Sequence, residues 1–221
     1  MTTKNERCTP VYYPVKEEIL CAITHGVGAL FGIYALIQMM ILSATRGNAW
    51  AVVAAAIYGA ALIILYTIST LSHALTARAA KKVFRILDHA TIFLLIAGTY
   101  TPVTLITLQG GWGWTIFGIQ WGLAALGIVM GSLSLDRFKK ISSYIYLLMG
   151  WAIIIAAYPM LQKMAPAGLI YMLGGGLFYS AGILLYRSKS PYTHFLMHLF
   201  TLIGSILQYL SIIQYVLPMT F

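Results

Sequence analysis

Seven times in 221 residues the chain offers an apolar stretch long enough to cross a membrane. The ~30 Å hydrocarbon core takes about 20 mostly apolar residues in helical form. Lipid cannot satisfy a bare backbone, so each such stretch must hydrogen-bond internally. The predicted spans are 19–42, 50–74, 88–108, 112–134, 142–162, 166–186 and 192–216. Composition agrees: 60% of residues are hydrophobic and 9% charged, with a mean hydropathy of +0.85, against about 25% charged in a soluble globule. The expected fold is all-α, a polytopic seven-transmembrane helix bundle forming one domain (19–221) behind a short leader (1–18).

The charges orient the bundle. Net charge is +9, but the basic residues fall in short clusters between apolar stretches, which points to topology rather than to nucleic acid. Lys4, Arg7 and Lys16 precede the first span. Arg78, Lys81, Lys82 and Arg85 lie between the second and third, Arg137, Lys139 and Lys140 between the fourth and fifth, and Arg187 and Lys189 between the sixth and seventh. The alternate side holds only Arg46 and Lys163. The positive-inside rule therefore expects a cytoplasmic N-terminus and an outside C-terminus. The leader lacks the apolar core of a signal peptide directly behind its charges, so no cleavage is expected. Cys8 and Cys21 have neither metal-pair nor disulfide-framework spacing and receive no role. Gly28 and Gly32, Gly118 and Gly122, and Gly127 and Gly131 have the spacing that lets helices approach closely, within the bundle rather than across a dimer face. Trp112, Trp114, Trp151 and Tyr171 read as interfacial or lipid-facing aromatics.

Against this background the rare polar residues are conspicuous. His194 and His198 open the seventh span four residues apart, on one helix face. Ser69 and His73 repeat that spacing at the end of the second span, and Asp88 and His89 open the third. Glu17, Glu18 and His25 sit at the mouth of the first. The assigned topology brings all of them to the cytoplasmic side. A histidine pair in a span reads either as hydrogen-bonded bundle residues or as half a metal site. Three imidazoles with an open fourth position match catalytic zinc, whose bound water has a pKa near 7, and imidazole also suits copper, iron and nickel. His89 lies about 100° around the helix from Asp88. It and His25 are expected to back the site or pack in the bundle, and Glu17 and Glu18 to start a helix at the interface, favoured by its dipole.

The Glu17-Glu18 pair followed by ITHGVG from Ile23 to Gly28, the Ser69-x-x-x-His73 pair, LDHATIFLLIAGTYTP from Leu87 to Pro102, and His194-x-x-x-His198 together resemble the bacterial hemolysin III proteins. These group with progestin and adipoQ receptors and, more distantly, alkaline ceramidases. The resemblance covers nearly the whole chain and implies a multi-pass protein of the bacterial plasma membrane. It further implies a zinc ion held by His73, His194 and His198, with Asp88 orienting the zinc-bound water and Ser69 behind it. Ser72 departs from the pattern, since many relatives carry an aromatic residue there.

Three functions are expected in order. The first is zinc-dependent hydrolysis of a membrane lipid amide or ester, with Asp88 and Ser69 as catalytic residues and a lipid or fatty-acyl substrate as partner. The second is a lipid sensor or membrane-homeostasis protein with structural zinc. The last is pore formation, for which the sequence offers no secretion signal and no amphipathic segment.

Overall fold

The computed structural model describes residues 13–133, 135–187 and 190–220. The leader up to residue 12, including Cys8, and Lys189 lie outside these. Among the described residues there is no strand, and seven helices are long and apolar enough to span a membrane: Val15–Arg46, Ala49–Ala74, Arg78–Leu108, Gly110–Leu133, Ile141–Lys163, Pro166–Arg187 and Thr193–Thr220. Each predicted span is present. The chain is thus a seven-span, multi-pass membrane protein.

The third span begins ten residues before its predicted start. Arg78, Lys81, Lys82 and Arg85 are not an intervening loop but the first turns of this helix, and Lys81 is buried because a carboxylate meets it. Its far end passes through Pro102, which cannot donate to the helical ladder, into a π-helical segment, Val103–Leu108. The seventh span has a similar segment at Ile212–Val216. Both lie far from the histidines along their helices.

The first helix shows how the bundle is sorted. Glu18, Cys21, His25, Gly28, Gly32, Ala35 and Met39 recur at alternating spacings of three and four and are all buried. Ile19, Ile23, Leu30, Ile37 and Ile41 face outward. Where lipid surrounds a helix, apolar residues lose nothing by facing out, and small or polar residues pack inside. A Cβ on Gly28 would lie 2.5 Å from the Tyr66 ring, and one on Gly32 3.2 Å from Ile63, so this pair does seat the first helix on the second. Gly127 likewise meets Phe93. Gly118 and Gly122 differ from expectation: both are exposed, with nothing within 4 Å of a built Cβ.

The order of neighbours is first against second, second against third, third against fourth, sixth against seventh, and seventh back against first. The two-residue turn after Arg46 is fixed by Asn48, whose side chain accepts from the Ala51 N–H at 3.1 Å. Inside, the Ser205 hydroxyl meets Tyr66 Oη at 2.7 Å and Tyr179 Oη at 2.9 Å, tying the second, sixth and seventh helices together. Trp112 and Trp114 are exposed as expected. Trp151 is not purely lipid-facing: its indole N–H donates to Ser180 Oγ at 2.9 Å and it lines an interior cavity.

Candidate metal centre

Four helix ends bring the polar residues together. His73 lies in the last turn of the second helix, and His194 and His198 in the first two turns of the seventh. Their Nε2 atoms converge: His194 lies 3.3 Å from His73 and 3.2 Å from His198. Tetrahedral coordination with bonds of 2.0–2.1 Å separates ligand nitrogens by about 3.3–3.4 Å. Three imidazoles so arranged cannot all satisfy one another as donor and acceptor, but each can offer a lone pair to one central cation. The donor set therefore fits a metal ion.

Glu18 organises this arrangement. It lies in the first turn of the first helix and is buried, 8% exposed, beside a likewise buried Glu17 at 4%. Its Oε2 is 2.6 Å from His73 Nδ1 and its Oε1 3.0 Å from Lys81 Nζ. The carboxylate takes the Nδ1 proton of His73 as a hydrogen bond and leaves Nε2 as the lone-pair atom. This is the carboxylate–histidine pairing that fixes tautomer and orientation at metal sites. The helix start expected at Glu17 and Glu18 is present, but Glu18 is turned into the bundle rather than left at the interface. Sequence reasoning did not give it this contact.

The other side chains fall around the cluster. Cys21, fully buried, completes a group with His73, His194 and His198 whose ligand atoms all lie within 4.8 Å of one another and could hold a metal ion. It too was given no role from sequence, although Glu18, Cys21 and His25 share one helical face. His25 stacks on His198 with ring centroids 3.7 Å apart and meets Tyr66 edge-on, so it backs that imidazole. Tyr13 stacks on His194 at 4.3 Å and 11°, and the Arg85 guanidinium lies over the Tyr13 ring, 5.6 Å from its centroid. Burial pushes the Tyr13 phenol well above its ordinary range, so it stacks as a neutral ring.

Asp88, on the third helix, accepts from Ser72 Oγ at 3.5 Å and lies within hydrogen-bonding reach of Ser69. The departure at Ser72 thus supplies a hydroxyl to the aspartate. Ser69 is buried and also receives the Ser72 hydroxyl on its carbonyl oxygen, at 2.9 Å. Asp88, His73 and His194 all line a cavity of about 540 Å³. Arg85 and Lys82 stand at its polar end, and Leu95, Ile96 and Leu147 on its apolar walls. His89 lines the same cavity but is outside the metal-ligating group.

Fold and site define a class: a seven-helix membrane protein with a histidine-rich centre capable of metal binding at one end of the bundle. Residues 13–209 match the family described as "Haemolysin-III related", and the chain belongs to that family. It is 45% identical to the hemolysin-3 of Bacillus cereus over 99% of both chains. It is 40% identical to the hemolysin-3 homolog of Bacillus subtilis, over 95% of this chain and 99% of that one. A human relative, the monocyte to macrophage differentiation factor, is 28% identical over 96% of this chain and 88% of its own length. No solved structure matches.

Proposed function

We propose that the protein is a zinc-dependent hydrolase of a membrane lipid amide or ester, working at the cytoplasmic end of the bundle. The observation that carries this reading is the position of Asp88: a carboxylate on the wall of a cavity that also exposes two of the three converging imidazoles. A purely structural metal would need neither the cavity nor the acid. Zinc, when bound, supplies Lewis acidity for a carbonyl and lowers the pKa of water.

The chain's own residues would do the rest. Asp88, held by Ser72 and flanked by Ser69, would accept a proton from water and pass it to the leaving group. Ser69 would donate toward the developing negative charge on the carbonyl oxygen. The apolar walls would admit an acyl chain and keep bulk water away, while Arg85 and Lys82 would face the polar head. Glu18 would hold His73 in place throughout. The basic ends of the helices and the positive-inside rule support the cytoplasmic assignment.

The test is metal analysis of the purified protein joined to a lipid-hydrolysis screen. Native protein should contain zinc and release fatty acid from an amide or ester lipid. Asp88→Ala should keep the metal and the fold but lose turnover, whereas the His194→Ala/His198→Ala double variant should lose the metal. Unchanged turnover in Asp88→Ala would exclude it as the proton carrier, and full zinc in the double variant would exclude the ligand set. Zinc without any metal-dependent product would favour the second reading, a lipid sensor, which the enclosed Glu18–His73 pairing also suits. Pore formation draws no support from a bundle whose long apolar faces all require a membrane.

A further inference from the structure

We propose that Cys21 is a fourth protein ligand of this metal, so that in the resting protein a thiolate, not water, closes the coordination sphere. The inference rests on the proposed function above and extends it to a side chain to which that proposal gives no part.

Cys21 is fully buried, and its Sγ lies within 4.8 Å of each of the three imidazole ligand atoms. Bonds of about 2.3 Å to sulfur and 2.0 Å to nitrogen put S and N about 3.5 Å apart in a tetrahedral site. The sulfur, no farther than 4.8 Å from any of those nitrogens, therefore needs to close by about 1.3 Å at most. Its neighbours aim it. One turn before it, Glu18 is pinned to His73 and Lys81, at 2.6 and 3.0 Å. One turn after it, His25, only 4% exposed, is stacked on His198 with ring centroids 3.7 Å apart. The helix face that carries Cys21 is thus held against the metal ligands on both sides of the thiol.

Cys21 and Asp88 approach the cluster differently. Asp88, His73 and His194 line the cavity, whereas Cys21 does not. The fourth position can be filled from the first helix by sulfur, or from the cavity by water or a substrate oxygen. A site closed by four protein ligands is the form of structural zinc, and an open one the form of catalytic zinc. Hydrolysis then requires the thiolate to leave before the cavity side can be used. Binding balances simply: the metal displaces the thiol proton, which passes to solvent, while the imidazoles bind in their neutral form. A thiolate also favours zinc, cobalt or copper over magnesium, calcium or manganese.

The experiment uses the full-length protein in detergent, stripped and reloaded with Co²⁺, whose tetrahedral complexes report thiolate through a sulfur-to-cobalt charge-transfer band in the near ultraviolet. The native chain should show that band together with visible ligand-field bands. Cys21→Ala should keep the visible bands, lose the near-ultraviolet one, and bind the metal at least about tenfold more weakly, since even loss of a residue that only supports a ligand costs that much. Titration of the apoprotein with Zn²⁺ near pH 6, below the pKa of about 7 at which a zinc-bound water would itself release a proton, gives an independent reading: the native chain should release one proton more per zinc than Cys21→Ala. Identical near-ultraviolet spectra and equal proton release would overturn ligation by Cys21. Failure of the native chain to take up cobalt or zinc would overturn the metal centre itself, a different result from uptake without the band.

Discussion

Glu18→Gln separates the two duties of one carboxylate. In the native protein Oε2 accepts from His73 Nδ1 at 2.6 Å while Oε1 faces Lys81 Nζ at 3.0 Å, and Lys81 is only 3% exposed. The amide retains an acceptor for His73 but removes the charge facing the ammonium. Breaking a buried pair by neutralising one member costs about 3–5 kcal/mol, and the low end, about 3 kcal/mol, applies here because the pair sits at a helix end close to water. The imidazole of His73 becomes a weaker ligand at the same time, lowering metal affinity by roughly 10–100-fold. Thermal unfolding in detergent reads the first effect and competition with a zinc chelator the second. Adding Lys81→Met should restore most of the stability, because the ammonium is gone, and none of the affinity. Wild-type zinc affinity in Glu18→Gln would refute the view that this carboxylate tunes His73, and stability unaffected by either change would refute the buried pair.

Gly28→Ala puts a methyl group 2.5–2.8 Å from three atoms of the Tyr66 ring. That ring is held by Ser205 at 2.7 Å, so the variant should lose about 1–3 kcal/mol as an overpacked core position does; unchanged thermal stability would show that the two helices can part there. Gly118→Ala, by contrast, adds a Cβ with nothing within 4 Å among the described residues and should leave stability unaltered in the same assay. Single cysteines introduced into a cysteine-free background should be labelled from the cytoplasm at Lys139 and from outside at Lys163; the reverse pattern would overturn the orientation.

The spans were legible because lipid imposes one crude requirement, length of apolar helix, that local sequence alone can meet. The convergence of His73 with His194 and His198 was legible too, since an odd or even number of crossings decides which ends share a side. What escaped was Glu18. Its charge and its place in the first turn read as a solvated helix start, and only tertiary packing, 55 residues along the chain, turns it onto His73. Cys21 escaped for the same reason: it has no metal-pair spacing to Cys8 along the chain, and its companions come from other helices. The signal that could have found both was the three-and-four spacing of Glu18, Cys21, His25, Gly28 and Gly32, a stripe of small and polar residues on an otherwise apolar helix. The early start of the third span was hidden because four cations in eight residues look like a loop until Lys81 is given its acid. Gly118 and Gly122 show the converse, a close-packing spacing where a Cβ would meet nothing within 4 Å among the described residues.

The cluster also says something about biosynthesis. His73 and His194 meet at 3.3 Å across 121 residues of chain, and two of the three imidazoles belong to the final helix. During N-to-C synthesis the second helix enters the membrane with His73, the first of the three converging imidazoles to arrive. The third to sixth helices must follow before the remaining donors arrive. Metal capture would thereby be a proofreading step on membrane insertion, available only to a chain whose last helix has been threaded with the correct end toward the first.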